Sequence, residues 1–347
     1  MPPKKPKKPK YEKGYIFVDV SYLVFYRYFA LKRWFSFAHK DIELKDNAFL
    51  KNKLFREKFE KTLLDTILKI SKKKKVAPAN IIFAFDCHHK DIWRHKVSTS
   101  YYKLIEADDT DLNTEYKGTR SDAHEKQNFK EFEVFELVKK QLLAPFIKEN
   151  NNIVLEHKQA EADDCVAIGI HLIRKKETTT PIWIIASDTD YLQICDENTH
   201  LIDLKLKEVD KVHLVEKKIT KEEYLLNKVM VGDVSDNIHP LQLEFSNFEK
   251  LEADYGIKLR KNKKNIYKVT KSVATKFMEN PKLKKELLSF INKLSTLLKS
   301  KKSITQYEQQ FSFLDLKQFV FNQTMIDFRF IPEEIHTKIE NIFKKNN

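Results

Sequence analysis

Glycine is nearly missing from this chain, with five in 347 residues. Folds assembled from many tight, positive-φ turns are therefore excluded as a first expectation. Cysteine is scarce too. Cys87, Cys165 and Cys195 lie far apart with no CxxC pair, which argues against a zinc knuckle or a disulfide framework and suits a reducing, intracellular setting. No apolar run nears the roughly 20 residues that span a bilayer, and no signal-peptide pattern opens the sequence, so no membrane partner is expected. There is no internal repeat.

Charge and aromatic residues are plentiful. Lys and Arg total 64 against 50 Asp and Glu, a formal +14, and there are 25 Phe and 13 Tyr. A hydrophobic fraction of 41% is enough for a substantial core. A basic chain of this kind is a candidate for binding polyanions. The opening "MPPKKPKKPK" predicts a disordered basic tail over residues 1–13.

Order is expected from Gly14. Four short apolar runs read as buried strands: "YIFVDV" from Tyr15, "NIIFAFD" to Asp86, "NIVLEH" from Asn152, and "PIWIIASD" to Asp188. A fifth, "THLIDL", follows. Helical patterns lie between them, in "FREKFEKTLLDTILKISKK", in "NFKEFEVFELVKKQLLAPFIKE" with a break at Pro145, and in "DDCVAIGIHLIRKK". Such alternation predicts an α/β core over residues 14–231 with a mainly parallel central sheet flanked by helices. A helical C-terminal region is expected at 232–343.

Ligands of open α/β sheets sit beyond the carboxyl ends of the strands. Asp19, Asp86 and Asp188 are each the first acid after an apolar strand. One such aspartate commonly caps the next helix. Three of them crowd one crevice with negative charge. The tetrapeptide Glu-Ala-Asp-Asp occurs twice, at 106–109 and 161–164. The second copy follows a strand and opens an apolar helix, so Glu161, Asp163 and Asp164 join the same edge. The first copy has neither flank and reads as a solvated acidic loop. "SDTD" adds Asp190 beside Asp188, and "GDVSDN" places Asp233 and Asp236 three residues apart. All-oxygen ligands indicate two Mg²⁺ ions, with Mn²⁺ as a substitute, and such sites serve phosphoryl chemistry. "YKGTR" supplies Tyr116 as an aromatic face and Lys117 and Arg120 as cations for a phosphate, with Arg94 upstream. His88, His89 and His95 lack metal-ligand spacing.

The succession "FVD", "FAFD", "YKGTR", "EADD", "SDTD" and "GDVSDNI" resembles the structure-specific 5′ nucleases, the flap endonuclease and 5′–3′ exonuclease family. Within that family the pattern is most similar to the T-even phage ribonuclease H branch. The resemblance implies a PIN-like 5′ nuclease core with an arch region around 87–130 over the site. It makes Asp19, Asp86, Glu161, Asp163 and Asp188 ligands of a first ion. Asp190, Asp233 and Asp236 would hold the second, with Asp164 serving either. Arg94, Lys117 and Arg120 would contact the phosphate and Tyr116 would stack on a terminal base. "GDVSDN" would begin a helix–hairpin–helix-like element that grips duplex DNA.

Three departures from the pattern stand out. "HPLQLEFSNFEK" replaces a glycine-rich hairpin, so that element is divergent. The acidic "IEADDTDLNTE" falls in the arch region. The sequence also stops soon after "IPEEIHTKIENIF". Lys261, Lys263 and Lys264 are expected to bind nucleic-acid backbone uniformly. The activity implied is Mg²⁺-dependent removal of RNA primers and 5′ flaps by a monomer acting on DNA or RNA–DNA hybrids. A single-strand binding protein or sliding clamp is the expected protein partner. A PIN-type endoribonuclease and an inactive architectural DNA-binding protein are the alternatives.

Overall fold

The computed structural model describes residues 10–40, 51–104, 115–118, 131–259, 267–300 and 302–346. The proline–lysine tail up to residue 9, the first Glu-Ala-Asp-Asp copy, Arg120, and Lys261, Lys263 and Lys264 lie outside the described residues. Two compact units emerge, and they interleave along the chain. A sheet unit takes residues 1–92, 124–216 and 333–347, and a helical unit takes 93–123 and 217–332.

The sheet unit is built on five parallel strands: β1 (Tyr15–Asp19), β2 (Ile81–Ala84), β3 (Ile153–Leu155), β4 (Ile182–Ile185) and β5 (Thr199–Ile202). Their spatial order is β3-β2-β1-β4-β5. Ile16 pairs with Ile81 on one side and Trp183 on the other, so β1 is central. The chain steps outward from β1 through β2 to β3, then returns to the far side of β1 for β4. This reversal is the topological switch point of an open α/β sheet, where the strand ends leave a crevice.

Alternation along β1 sets both faces. Ile16 and Val18 join a buried cluster with Val20, Leu23, Val24, Phe55, Phe59 and Leu63 from the helices Val20–Ala38 and Lys53–Lys74. Phe17 points the other way, against the helix Ala162–Lys176. A β-carbon at Gly169 would lie 2.8 Å from the Phe17 ring, so glycine there lets the helix sit tight on the sheet. The helix Glu333–Asn346 packs on β3 and on Ala162–Lys176, which places the end of the chain in the sheet unit.

All five expected strands are present. The helix Val20–Ala38 is an addition to the sequence reading. Aromatic and β-branched residues of modest helix propensity fill it, and apolar side chains spread beyond one face, which blurs the 3.6-residue period. Pro145 marks a distortion of a helix that otherwise runs on. It occupies the first turn of Ala144–Asn150, directly after a π-helical segment, Val138–Leu143.

The helical unit comprises Trp93–Leu104, Lys221–Val231, Phe248–Tyr255, Lys271–Glu279, Pro281–Lys299, Thr305–Gln310 and Leu316–Ile326, with a two-stranded antiparallel ribbon of β6 (Gln242–Leu243) and β7 (Tyr267–Lys268). Leu316–Ile326 packs on both Trp93–Leu104 and Lys221–Val231. Its buried amides act as clamps. Asn322 Nδ2 donates to the carbonyls of Val229 and His239, on either side of the Gly232–Asn237 turn. No helix among the described residues is long and apolar enough to cross a membrane.

Candidate active site

Each strand of the sheet centre delivers a carboxylate to the same edge. Asp19 is the last residue of β1 and the N-cap of Val20–Ala38. Its Oδ1 accepts the Tyr22 amide at 2.9 Å and its Oδ2 accepts the Tyr191 hydroxyl at 3.0 Å. Asp86 lies two residues beyond β2. It accepts the Ser21 hydroxyl and, at 2.7 Å, the amide of Ala162, the first residue of the next helix. A carboxylate at a helix N-terminus also meets the positive end of the helix dipole.

The second Glu-Ala-Asp-Asp copy opens that helix. Glu161 is its N-cap and Asp164 reaches back, accepting the Glu161 amide at 3.1 Å. Asp163 accepts the Asp164 amide at 2.7 Å. Glu161, Asp163 and Asp164 each offer an oxygen within 4.8 Å of the others, and Asp164 is fully buried. Beyond β4, exposed Asp188 caps the short turn Thr189–Ile194 and accepts the Asp190 amide at 3.0 Å.

The electrostatics show that these groups share one crevice. Burial, then the charge of Asp86 and, more weakly, Asp188, pushes the Asp19 carboxyl up to about 7. Tyr191 is driven well above its ordinary range by burial and then by Asp19, Asp163, Asp86 and Asp188. Cys87 is raised to about 12 by burial, followed by Glu161, Asp86 and Asp164. Three unrelated groups thus report the same concentrated negative field. The donor set is hard oxygen throughout, and its charge is what a divalent cation would relieve. The residues fit such an ion.

That field has a measurable consequence in the metal-free protein. Unfolded, Asp19 ionises near 4; folded, near 7. Its contribution to stability is therefore present below about pH 4 and lost as pH rises through 7. In EDTA the melting temperature should fall between pH 5 and 8. Asp19→Asn should flatten that fall, and Mg²⁺ at 100-fold over its dissociation constant should restore about 2.7 kcal/mol at pH 8. Melting curves equal at both pH values in EDTA would contradict this.

The helical unit holds the remaining residues. Gly232 ends Lys221–Val231 at φ +75° and ψ −175°, and a tight turn carries Asp233 and Asp236. Burial opposes ionisation of Asp233, but Lys228 at 2.8 Å and two hydrogen bonds from Ser235 outweigh it and hold the carboxyl at about 2. Asp236 is buried. It accepts the Tyr116 hydroxyl at 3.1 Å and lies 3.9 Å from Lys117 Nζ, while its carbonyl accepts the Lys117 amide. Asn237 Nδ2 ties the same turn to the Glu115 carbonyl. Glu115, Tyr116 and Lys117 are therefore bound to the "GDVSDN" turn.

Two sequence assignments change in this light. Tyr116 is 4% exposed, its hydroxyl bound to Asp236 and its ring edge-on to His95, so it is not an open face for a terminal base. Arg94 is 2% exposed, with Nε donating to the Met325 carbonyl and its guanidinium over Trp93, so it anchors helices and does not present a free cation. The sequence reading passed over Tyr191. Its place one residue after "SDTD" was the available signal, since a buried Tyr needs a hydroxyl partner.

No protein-family model matches the sequence, nor does any curated protein. Among solved structures, the zinc-bound 5′-exonuclease of bacteriophage T5 aligns with a TM-score of 0.51 at 16% identity, covering 96% of this chain and 100% of that one. The chain has the fold of that 5′-exonuclease. A bacteriophage T5 flap endonuclease in a pseudo-enzyme–product complex with DNA and metal ions aligns at 0.49 and 15% identity, over 96% and 99%. The T5 exonuclease fold includes both features expected here, the parallel sheet flanked by helices and the helical C-terminal region.

Proposed function

We propose that the chain is a metal-dependent 5′ nuclease that hydrolyses phosphodiesters at 5′ ends and flaps, including RNA primers on DNA. The observation that carries this is the convergence of Asp19, Asp86, Glu161, Asp163 and Asp188 at the carboxyl edge of the sheet, where burial and then the charges of Asp86 and Asp188 lift Asp19 to about 7. The same fold in the T5 exonuclease binds divalent metal ions, which supports the reading. These five residues would hold a first Mg²⁺, and Asp190 keeps the second-ion role that the resemblance implies. Asp233 and Asp236 keep the ligand role that the resemblance implies. Bound Mg²⁺ supplies Lewis acidity and a water of lowered pKa.

The chain's own groups prepare the site. Tyr191 and the Tyr22 amide orient Asp19; the Ala162 amide and Ser21 orient Asp86. Asp164 caps its helix and so holds Glu161 and Asp163 in place. Lys117 is proposed to face the phosphoryl oxygens with Arg120. Its backbone, held at φ +56° and bonded to Asp236, presets its position. Lys117→Ala should lower single-turnover cleavage about tenfold or more with modest change in affinity. The triple Lys261/Lys263/Lys264→Ala variant should instead weaken binding and flatten its salt dependence. A Lys117→Ala effect confined to affinity would remove its proposed role.

The reading is tested with end-labelled flap duplex, nicked duplex, RNA–DNA hybrid and single-stranded RNA, each with and without Mg²⁺. Cleavage restricted to single-stranded RNA would favour the PIN-type endoribonuclease, and tight binding without cleavage the architectural protein.

A further inference from the structure

The helix that Asp19 opens contains a residue that breaks its own pattern. Val20, Leu23, Val24, Tyr28, Leu31 and Phe35 form its buried stripe. Arg27 lies four after Leu23, three after Val24 and four before Leu31, inside that stripe where a 3.6-residue period calls for an apolar side chain. It is half-buried, and its Nε is out of contact with solvent.

Among the described residues no hydrogen bond or ion pair engages this guanidinium. Burial lowers its pKa, and among the described residues the charge interaction that opposes this comes from the Tyr26 hydroxyl and from none of the site carboxylates. A guanidinium whose Nε is cut off from water without a partner costs stability, even where the rest of the group reaches solvent. A charge placed against the local pattern and left uncompensated is the mark of a group waiting for a ligand.

We propose that Arg27 is a preformed contact for a nucleic-acid backbone phosphate, separate from the metal-bound one. The inference rests on the nuclease reading for its ligand class. Arg27 is eight residues along the helix from Asp19, about 12 Å of helix axis at 1.5 Å per residue. It would therefore hold a phosphate away from the reacting one. Guanidinium suits this task, since its planar fork binds phosphate oxygens in pairs and remains charged when partly desolvated.

The test separates a binding role from a packing role. Arg27→Met fills the stripe with an apolar side chain of similar length, and Arg27→Lys keeps the charge. Melting is measured for each, together with binding of a 5′-flap DNA duplex in Ca²⁺ across a salt series. Arg27→Met should melt at or above the wild-type temperature, as expected when an uncompensated buried charge is replaced. It should bind about tenfold more weakly, with a salt slope smaller by about 0.7 to 0.9, the value for one phosphate contact. Arg27→Lys should keep the slope and most of the affinity.

Unchanged affinity and slope in Arg27→Met would overturn the proposal, and so would a lowered melting temperature with the slope intact, which marks a structural arginine. Wild-type protein that binds the duplex yet does not cleave it in Mg²⁺ would sink the nuclease reading while the binding series still decides Arg27. Wild-type protein that binds no nucleic acid would overturn both.

Discussion

Asp163→Ala should lose at least about 100-fold in single-turnover cleavage of a 5′-flap duplex, a transition-state loss of about 2.7 kcal/mol. The fold should survive, because Asp163 is only partly buried, while its helix is held by the packing of buried Ala162, Cys165 and Val166. Asp163 shares a 4.8 Å cluster with Glu161 and Asp164, and its charge reaches Tyr191 across the crevice. Removing it should weaken metal binding and disturb the field that positions the scissile phosphate. The contrast is the other copy of the same tetrapeptide. Replacing Asp108 and Asp109 together by Ala should leave Mg²⁺-dependent cleavage largely in place. An inactive Asp108/Asp109 variant beside an active Asp163→Ala would reverse the assignment.

The second large effect is expected at Gly232. Its φ of +75° and ψ of −175° fall in a region that essentially only glycine occupies. A β-carbon would stand 2.4 Å from the Ile238 carbonyl oxygen and 2.6 Å from the His239 carbonyl carbon. Both are backbone atoms, and the His239 carbonyl is already fixed by Asn322. No flexible side chain can yield. Gly232→Ala should therefore cost about 3 kcal/mol or more in stability and displace the turn that carries Asp233 and Asp236. Thermal and urea unfolding read the first effect, and cleavage by the surviving folded fraction reads the second. Melting within about 1 °C of wild type, with full activity, would show that the turn adapts.

Much of the sheet was legible because its strands are short apolar runs that stop at an acid. Asp19, Asp86 and Asp188 are visible in the sequence as the first charge after each run, and the structure sets all three at the carboxyl edge. The second tetrapeptide copy could be placed at that edge from its flanks, a strand before it and an apolar helix after it. What escaped was whatever depends on tertiary surroundings. Tyr116 and Arg94 have the chemistry of nucleic-acid contacts, yet each is buried by neighbours distant in sequence, Asp236 and Met325. The helix Val20–Ala38 was hidden by its own aromatic content, and with it the misplaced charge of Arg27. The ion pair that ties Lys228 to Asp233 is equally local in space and unmarked by any motif. Periodicity reveals which face is apolar; it does not reveal which polar group will find a partner there.

The central claim is that the carboxylates at the sheet edge form a metal-dependent centre acting on 5′ ends. The most direct measurement uses a flap duplex labelled at the 5′ terminus of the flap, incubated with purified protein in Mg²⁺, in EDTA, and in EDTA followed by excess Mg²⁺. The account predicts release of short 5′-labelled products in Mg²⁺, none in EDTA, and recovery on re-addition, with Asp163→Ala inactive throughout. Equal cleavage in EDTA, or trimming from the 3′ end with the 5′ label left on long products, would contradict it.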